Sequence, residues 1–270
     1  MDLTLIAILL GILEGFTEFL PVSSTGHLIL ATELFGYNAE QWRVFNVAIQ
    51  LGAILAVVVQ YWRTFWAVGT GLLRFDPTSV AFVRNLLTGF LPAAVLGFLF
   101  KDQINDLLGS PLVVAYALVL GGIAIIVIER SVKPGPPSGI AQLQVRQALG
   151  VGLFQCIAMV PGVSRSGATI MGALLMGIER RTAAEFSFFL AVPTMLGATA
   201  LQIVEHREEL LSGSGLVGWQ EMGLGFVAAF LVALVVIKAF VAYVSRTGFT
   251  PFAWYRIVVG LFAIWLFSAG

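Results

Sequence analysis

Long apolar stretches separated by short polar ones dominate this sequence. Six of them are long enough to cross the hydrocarbon core of a bilayer, which takes about 20 helical residues. The pattern therefore predicts six transmembrane helices, at residues 45–62, 85–100, 111–129, 186–203, 223–243 and 251–269. The predicted fold class is all-α, a polytopic membrane protein.

Two further apolar segments are interrupted by short loops rich in proline, serine and glycine. The first covers residues 3–20 and 27–36 around the sequence PVSSTG, and the second covers 145–160 and 168–178 around PGVSRSG. No arm of either segment spans a bilayer comfortably. A broken helix at membrane depth needs its free backbone groups buried in protein or facing a wet cavity, so each segment predicts a re-entrant helical hairpin. A kinked transmembrane helix is the alternative for each.

The two broken segments resemble one another, and each precedes three predicted spans. This order indicates an internal repeat within a single membrane domain of residues 1–270, with halves at about 1–131 and 144–270 and a Pro/Gly-rich linker at about 132–143. Because three spans are an odd number, the second half must enter the membrane in the opposite orientation. The sequence therefore predicts an inverted-topology repeat whose two hairpin tips meet near the midplane.

Composition agrees with a membrane protein and narrows the class of partner. Of the 270 residues, 59 % are hydrophobic and 11 % are charged, and the mean hydropathy is +0.94. The formal net charge is zero, which gives no electrostatic reason for a nucleic-acid partner. Partners are expected from the membrane lipid.

The basic residues of the loops are distributed unequally between the two sides of the predicted spans. Three lie on one side, namely Arg43, Lys101 and Arg207, and nine lie on the other, namely Arg63, Arg74, Arg84, Arg130, Lys133, Arg146, Arg180, Arg181 and Arg246. Cytoplasmic loops carry the excess of Lys and Arg. We therefore expect the nine-residue side to be cytoplasmic, with both termini and the mouth of the first hairpin facing outward.

Glu14 and Glu18 form a carboxylate pair inside an apolar helical segment. Their spacing of four places both on one helix face. An ionisable residue inside the bilayer is expensive and indicates function when a partner can be named. That partner is Arg165 in the second loop, and a structural ion pair between the hairpins is the plain alternative. Two carboxylates with one arginine favour a bound divalent cation or a carboxyl that stays protonated.

Small hydroxyl residues follow the proline in each loop. They can cap a helix that starts there, and capping or packing alone could explain them. Two helix N-termini directed at one cavity would also present free N–H groups to an anion, and Arg165 adds a planar fork suited to phosphate. The candidate phosphate-binding residues are therefore Ser23, Thr25, Ser164, Arg165, Ser166 and Thr169.

His27 lies three residues after Ser24. If a helix starts at about Ser24, the imidazole shares a face with a hydroxyl, which is a nucleophile-and-base arrangement. A histidine in an apolar stretch can also be only a satisfied hydrogen-bonding group. The two glutamates and the opposing arginine favour the catalytic interpretation.

Two motifs carry a resemblance to a known family, and it extends over essentially the whole chain. The sequences E-x-x-x-E-x-x-P-x-S-S-T-G-H at 14–27 and P-G-x-S-R-S-G-A-T at 161–169 resemble the two signatures of the bacterial undecaprenyl-diphosphate phosphatase (bacitracin-resistance) family. The resemblance implies a hydrolase of the bacterial inner membrane that removes the terminal phosphate of undecaprenyl diphosphate and recycles the lipid carrier of cell-wall synthesis. It also implies a divalent cation, Mg²⁺ or Ca²⁺, and a site that faces the periplasm.

The sequence leads to a catalytic hypothesis with named alternatives. Ser24 attacks the terminal phosphorus with His27 as base, Arg165 holds the phosphate, and Glu14 and Glu18 hold the metal. Metal-activated water as nucleophile, or Glu18 as base, is an open alternative. A secondary transporter or lipid flippase with a midplane anion site is the rival function, and an intramembrane serine peptidase is a third. A second copy of the chain, in a homodimer, is also considered as a partner.

Overall fold

The computed structural model describes residues 2–37, 39–108, 110–133, 135–205 and 217–268, and the regular secondary structure of these ranges is helical throughout. Short 3₁₀ turns lie at Ala39–Trp42 and Ile140–Gln142. The α-helices are α1 Leu3–Thr17, α2 Ser24–Leu34, α3 Arg43–Gln60, α4 Trp62–Leu73, α5 Pro77–Leu99, α6 Lys101–Leu108, α7 Pro111–Ser131, α8 Val145–Ile157, α9 Arg165–Leu175, α10 Arg180–Glu205, α11 Trp219–Thr247 and α12 Thr250–Ser268.

Six helices are long and apolar enough to cross a membrane, as the sequence predicts. They are α3, α5, α7, α10, α11 and α12. The largest difference in bounds is at α5, which begins at Pro77 rather than at the predicted residue 85. Asp76 caps this helix by accepting a hydrogen bond from the Ser79 N–H at 2.8 Å, and proline suits the first helical position. The all-α class and the multi-pass membrane architecture are confirmed, whereas Arg207 lies outside the described residues.

Each broken segment forms two short helices joined by a loop. The first gives α1 and α2 around residues 18–23, and the second gives α8 and α9 around residues 158–164. The first helix of each pair packs closely on a span of the other half of the chain. A Cβ atom at Gly11 of α1 would lie 2.3 Å from the Gly225 carbonyl oxygen of α11, and one at Gly152 of α8 would lie 2.5 Å from that of Gly89 in α5. Small residues permit this close backbone approach between membrane helices.

The predicted linker is held against the helices. Ile140 and Leu143 are buried, and the fully buried Asn85 side chain of α5 donates to their carbonyl oxygens at 2.9 and 2.8 Å. These hydrogen bonds satisfy an amide that would otherwise be costly to bury. The segment between the two halves is therefore a packed connection at one end of the bundle.

The sequence pattern did not predict the short helix α4, which begins where the first predicted span ends. Tyr61 interrupts the chain between α3 and α4 with φ −109° and ψ 22°, which are not helical values. The α4 helix has 12 residues, about 18 Å, so it is too short to span a bilayer.

Candidate functional site

The first loop is shaped by a serine at the start of α2. Ser23 has φ 73°, in the left-handed region that non-glycine residues rarely adopt, and its hydroxyl accepts a hydrogen bond from Gly26 N–H at 3.3 Å. This cap begins α2 at Ser24, so Ser24 and His27 lie in its first turn. Thr25 is in the same turn and is partly exposed.

The second loop repeats this geometry. Ser164 has φ 77°, and its hydroxyl accepts from Gly167 N–H at 3.1 Å, so α9 begins at Arg165. The two caps have the same three-residue spacing from serine to glycine, and α2 and α9 both have 11 residues. Ser24, the first residue of α2, therefore corresponds to Arg165, the first residue of α9. The same position carries a hydroxyl in the first helix pair and a guanidinium in the second.

The two loops lie in contact, with Glu18 between them. Arg165 Nη2 donates to Glu18 Oε1 at 2.7 Å across a sequence separation of 147 residues. The Ser24 hydroxyl donates to the other oxygen, Glu18 Oε2. Ser166 Oγ of the second loop donates to the Leu20 carbonyl oxygen of the first at 2.6 Å. A predicted nucleophile, a predicted base and a predicted phosphate ligand thus form one hydrogen-bonded cluster.

The cluster is almost closed to solvent. Glu18, Ser24, His27 and Ser164 are each 6 to 7 % exposed, and Ser166 is 1 % exposed. A polar group at this depth is stable only when it is hydrogen-bonded. An anion that binds in the cluster must therefore break the hydrogen bonds among Arg165, Ser24 and Glu18 and form its own hydrogen bonds to these side chains.

Arg165 is oriented by residues of the second half. Its Nη1 donates to the Ser187 carbonyl oxygen at 2.7 Å and lies 3.2 Å from the Ser187 hydroxyl. The hydroxyls of Thr169 and Ser187 are 2.7 Å apart. The predicted phosphate ligand Thr169 therefore lies behind Arg165 and buttresses Ser187. Sequence analysis missed Ser187, because one serine within the long apolar run of α10 gives no distinctive signal.

Glu14 differs from Glu18 in having no hydrogen-bond partner. Its side chain is completely buried, and neither carboxylate oxygen is hydrogen-bonded within the described part of the chain. Glu18 and Arg165 are its electrostatic neighbours. An unpartnered buried carboxylate fits a divalent cation, since Mg²⁺ commonly takes one or two carboxylates together with substrate phosphate oxygens. No cluster of three or more His, Cys, Asp or Glu side chains suited to a metal occurs among the described residues.

Both ring nitrogens of His27 are already engaged. Nδ1 lies 2.7 Å from the Ser23 carbonyl oxygen, and Nε2 lies 2.9 Å from the Tyr255 hydroxyl. A carbonyl oxygen only accepts, so Nδ1 carries a proton, and in the neutral imidazole Nε2 must then accept from Tyr255. The lone pair of His27 is therefore directed at Tyr255, and Ser24 donates to Glu18 instead.

Arg256 of α12 joins the two loops from behind. It is 1 % exposed, and its guanidinium donates to five main-chain carbonyl oxygens. Three of these belong to the loops, at distances of 3.1 Å to Pro21, 2.9 Å to Val163 and 2.9 Å to Gly162. The other two belong to Ala117 and Leu118 of α7. Sequence analysis missed this residue, although an arginine inside a predicted span is a functional signal by itself.

Comparison with known proteins agrees with the site motifs. Residues 7–262 match the family described as Bacitracin resistance protein BacA. A protein named undecaprenyl-diphosphatase from Novosphingobium aromaticivorans is 70 % identical over 98 % of this chain and 99 % of its own length. Proteins of the same name from Sphingopyxis alaskensis and Rhizorhabdus wittichii are 60 % and 54 % identical, over 94 % and 99 % of this chain and 94 % and 100 % of their own lengths. This chain therefore belongs to the Bacitracin resistance protein BacA family.

Proposed function

We propose that this membrane protein hydrolyses the terminal phosphate of undecaprenyl diphosphate and releases undecaprenyl phosphate and inorganic phosphate. The names of the close relatives support this activity. The observation that carries it is Glu18, which accepts from a serine hydroxyl through one oxygen and from a loop arginine through the other. A serine hydroxyl hydrogen-bonded to a carboxylate, beside a guanidinium suited to phosphate, is an arrangement that can carry out phosphoryl transfer.

In the first step, Ser24 Oγ attacks the terminal phosphorus and its proton passes to Glu18. The bond from the terminal phosphorus to the bridging oxygen breaks, and undecaprenyl phosphate leaves with that oxygen and its electron pair. Arg165 turns from Glu18 to the equatorial phosphate oxygens, where a charge-assisted fork stabilises the transition state. Water then attacks the phosphoserine, releases inorganic phosphate and restores the Ser24 hydroxyl.

The geometry favours Glu18 over His27 as the base for Ser24. The Ser24 proton already points to Glu18 Oε2, whereas the Nε2 atom of His27 accepts from Tyr255. Departure of Arg165 toward the phosphate would leave the Glu18 carboxylate free to accept the Ser24 proton at the moment of attack. His27 then fixes the Ser23 carbonyl at the start of α2, and it acts as base only if Tyr255 moves away.

A divalent cation, Mg²⁺ or Ca²⁺, fits this site next to Glu14. Glu14, whose two carboxylate oxygens have no hydrogen-bond partner, and Glu18 beside it are the residues that would hold the cation. Once bound, the cation would neutralise charge on the phosphate oxygens. Glu14 itself is completely buried and has Glu18 and Arg165 as its electrostatic neighbours.

We also propose that the two helix pairs are re-entrant hairpins of an inverted repeat. Arg256 links the loops to Ala117 and Leu118, which lie about 10 Å along α7 from Pro111 and about 20 Å from Ser131 at 1.5 Å per residue. This depth supports loops within the membrane. Matching serine caps support the repeat. The excess of basic residues at the other end supports a site facing the periplasm of the inner membrane, with both termini outside.

The experiment is phosphate release from a prenyl diphosphate by purified protein, with wild type, Ser24→Ala, Arg165→Ala and the double variant compared by kcat/KM. Each single change should lower kcat/KM by roughly 10²-fold or more, since each removes a group that acts at the transition state. Residues that act as a unit are not additive, so the double variant should be scarcely worse than the more damaged single one. Folding is checked by gel filtration and thermal unfolding.

Three results would contradict the proposal in different ways. Additive losses would argue against one shared catalytic cluster. Near-normal activity in Ser24→Ala would transfer the nucleophile's role to water. Absence of phosphate release by folded wild-type protein, with movement of a labelled prenyl phosphate across vesicles, would favour a lipid carrier.

A further inference from the structure

The corner between α4 and α5 forms an open cavity that the catalytic proposal does not use. Its volume is about 750 Å³, within the range of small-molecule sites. Polar and basic side chains line it, including Arg63, Arg74, Thr64, Thr70, Thr78 and Ser79. The corner itself is tight, because a Cβ atom at Gly71 of α4 would lie 2.1 Å from Ser79 Oγ of α5.

The charges around this cavity favour an anion. Neither Arg63 nor Arg74 forms an ion pair with any part of the chain that the structure describes, and both are exposed. Asp76 also lines the cavity, but it accepts from the Ser79 N–H and hydroxyl at 2.8 and 2.9 Å. These hydrogen bonds lower the pKa of Asp76 and commit its charge to the N-terminus of α5. The two arginines therefore leave a net positive charge.

The outer surface of α4 is apolar, and no part of the chain that the structure describes covers it. Among its 12 residues none is fully buried. Trp62, Trp66 and Leu73 lie on one helix face and are 56, 70 and 83 % exposed. Phe75, just beyond the helix, is 85 % exposed and has φ 53°, a strained value for an aromatic residue. Tryptophan beside arginine on a short amphipathic helix is typical of a helix in the membrane interface.

This corner lies at the end of the bundle that carries the basic loops. Phe82 at the cavity packs on Phe189 of α10 with ring centroids 5.1 Å apart, and Tyr61 packs on the same ring at 4.9 Å. Asn85, one turn further along α5, holds the linker at Ile140. On the orientation proposed above, Arg63 and Arg74 belong to the leaflet opposite to the proposed catalytic site.

We propose that the α4–α5 corner is a binding site for the headgroup of an anionic phospholipid. The phosphate lies between Arg63 and Arg74 and accepts from the hydroxyls of Thr64 and Thr78, while the acyl chains run along Trp66, Leu73 and Phe75. Phosphate is the shared chemistry of a lipid headgroup and a free anion. The exposed apolar face next to the arginines favours the lipid, because a soluble phosphate would leave that face uncovered.

The experiment measures lipid binding to the delipidated, purified protein by native mass spectrometry. Phosphatidylglycerol and phosphatidylcholine of the same chain length are titrated, with glycerol 3-phosphate and inorganic phosphate as soluble competitors. The test variant is Arg63→Gln with Arg74→Gln. The matched control is Arg130→Gln with Arg246→Gln, which removes the same charge from exposed positions at the same end of the bundle.

We expect phosphatidylglycerol to bind more tightly than phosphatidylcholine. The test variant should weaken phosphatidylglycerol binding roughly 25-fold, because it removes two charge-assisted contacts to the headgroup phosphate that the control arginines do not make. The control should stay within about twofold of wild type, and phosphate release should be unchanged in both variants.

Each other outcome overturns the assignment. Equal losses in test and control would reduce the effect to general charge attraction. Displacement of phosphatidylglycerol by millimolar glycerol 3-phosphate would make the cavity a site for soluble phosphates. Conversion of a dimer to a monomer by the test variant would assign this face to a second copy of the chain. If the melting temperature shows that the glutamine variant is unfolded, Arg63→Lys with Arg74→Lys is used in its place. The lysine variant keeps both positive charges and should bind phosphatidylglycerol, and a folded lysine variant that does not bind it would overturn the assignment.

Discussion

Arg256 should be necessary for activity although it holds the two loops from the side of α12 and contacts none of Glu18, Ser24 and Arg165 in a hydrogen bond. Replacement by methionine keeps most of the side-chain length and removes all five hydrogen bonds to carbonyl oxygens. A hydrogen bond from a charged donor contributes about 1.5 to 3 kcal/mol to the free energy of unfolding. Part of the loss of five such bonds is offset, because methionine removes the cost of burying a guanidinium, which is several kcal/mol. We expect a net loss of about 3 to 5 kcal/mol in the free energy of unfolding.

The catalytic loss should exceed what unfolding explains. Three of the five carbonyl oxygens belong to the two loops, at Pro21, Gly162 and Val163, so Arg256→Met releases both loops from α12. A displacement of about 1 Å in a catalytic group can lower the rate about 10²-fold. At a temperature where the variant remains folded, we therefore expect kcat/KM to fall roughly 10²-fold, with Arg256→Lys intermediate because ammonium supplies fewer donors.

The assay pairs phosphate release with thermal unfolding in the same detergent. The melting temperature of Arg256→Met should fall by roughly 10 °C, from the usual relation between stability and melting temperature. Lys238→Met is the matched control, because Lys238 is exposed in the neighbouring span α11 and carries the same charge. A variant at Arg256 that keeps kcat/KM within twofold and melts with wild type would refute the role of the guanidinium in holding the loops.

Three further predictions address the metal, the base and the orientation. Excess chelator should abolish phosphate release, and Glu14→Gln should raise the divalent cation concentration for half-maximal activity by roughly tenfold or more; full activity in chelator would remove the metal from the site. Tyr255→Phe removes the hydroxyl that pairs with His27 Nε2, and kcat/KM should stay within about threefold of wild type if His27 is not the base. General base catalysis contributes about 10² or more, so a change of that size would return the role of base to His27. In a background without the native cysteine, an impermeant thiol reagent outside the cell should label Gln220→Cys and spare Lys133→Cys, and the reverse pattern would invert the proposed orientation.

The sequence predicted most of the helices because hydrophobic length is a direct physical requirement of the bilayer. All six spans appear, and the two breaks in the apolar pattern coincide with the two loops. Helix ends were less predictable. The start of α5 depends on the cap formed by Asp76 and Ser79, which lies outside the apolar run that defined the span. The separation of α4 depends on Tyr61, an aromatic residue that does not interrupt a hydropathy pattern.

The partners within the site depended on tertiary contacts that spacing along one helix does not contain. His27 and Ser24 share the first turn of α2, and this neighbourhood suggested a base and its nucleophile. The cap at Ser23 instead turns the Ser24 hydroxyl toward Glu18 at the end of α1, while Tyr255, 228 residues away in sequence, engages the imidazole. A helical period predicts which residues share a face, but the loop conformation decides which of them meet.

The arrangement of charge explains why such a site needs both halves of the chain. Glu14 and Glu18 come from the first half, and Arg165 comes from the second. Two buried carboxylates alone would repel one another, and Arg165 alone would be an unpaired buried cation. The ion pair between Arg165 and Glu18 therefore joins opposite charges from the two halves, and Arg256 holds the two loops together where this pair forms. A phosphate that draws Arg165 from Glu18 leaves carboxylate charge behind, which is the condition under which Glu18 can take a proton from Ser24.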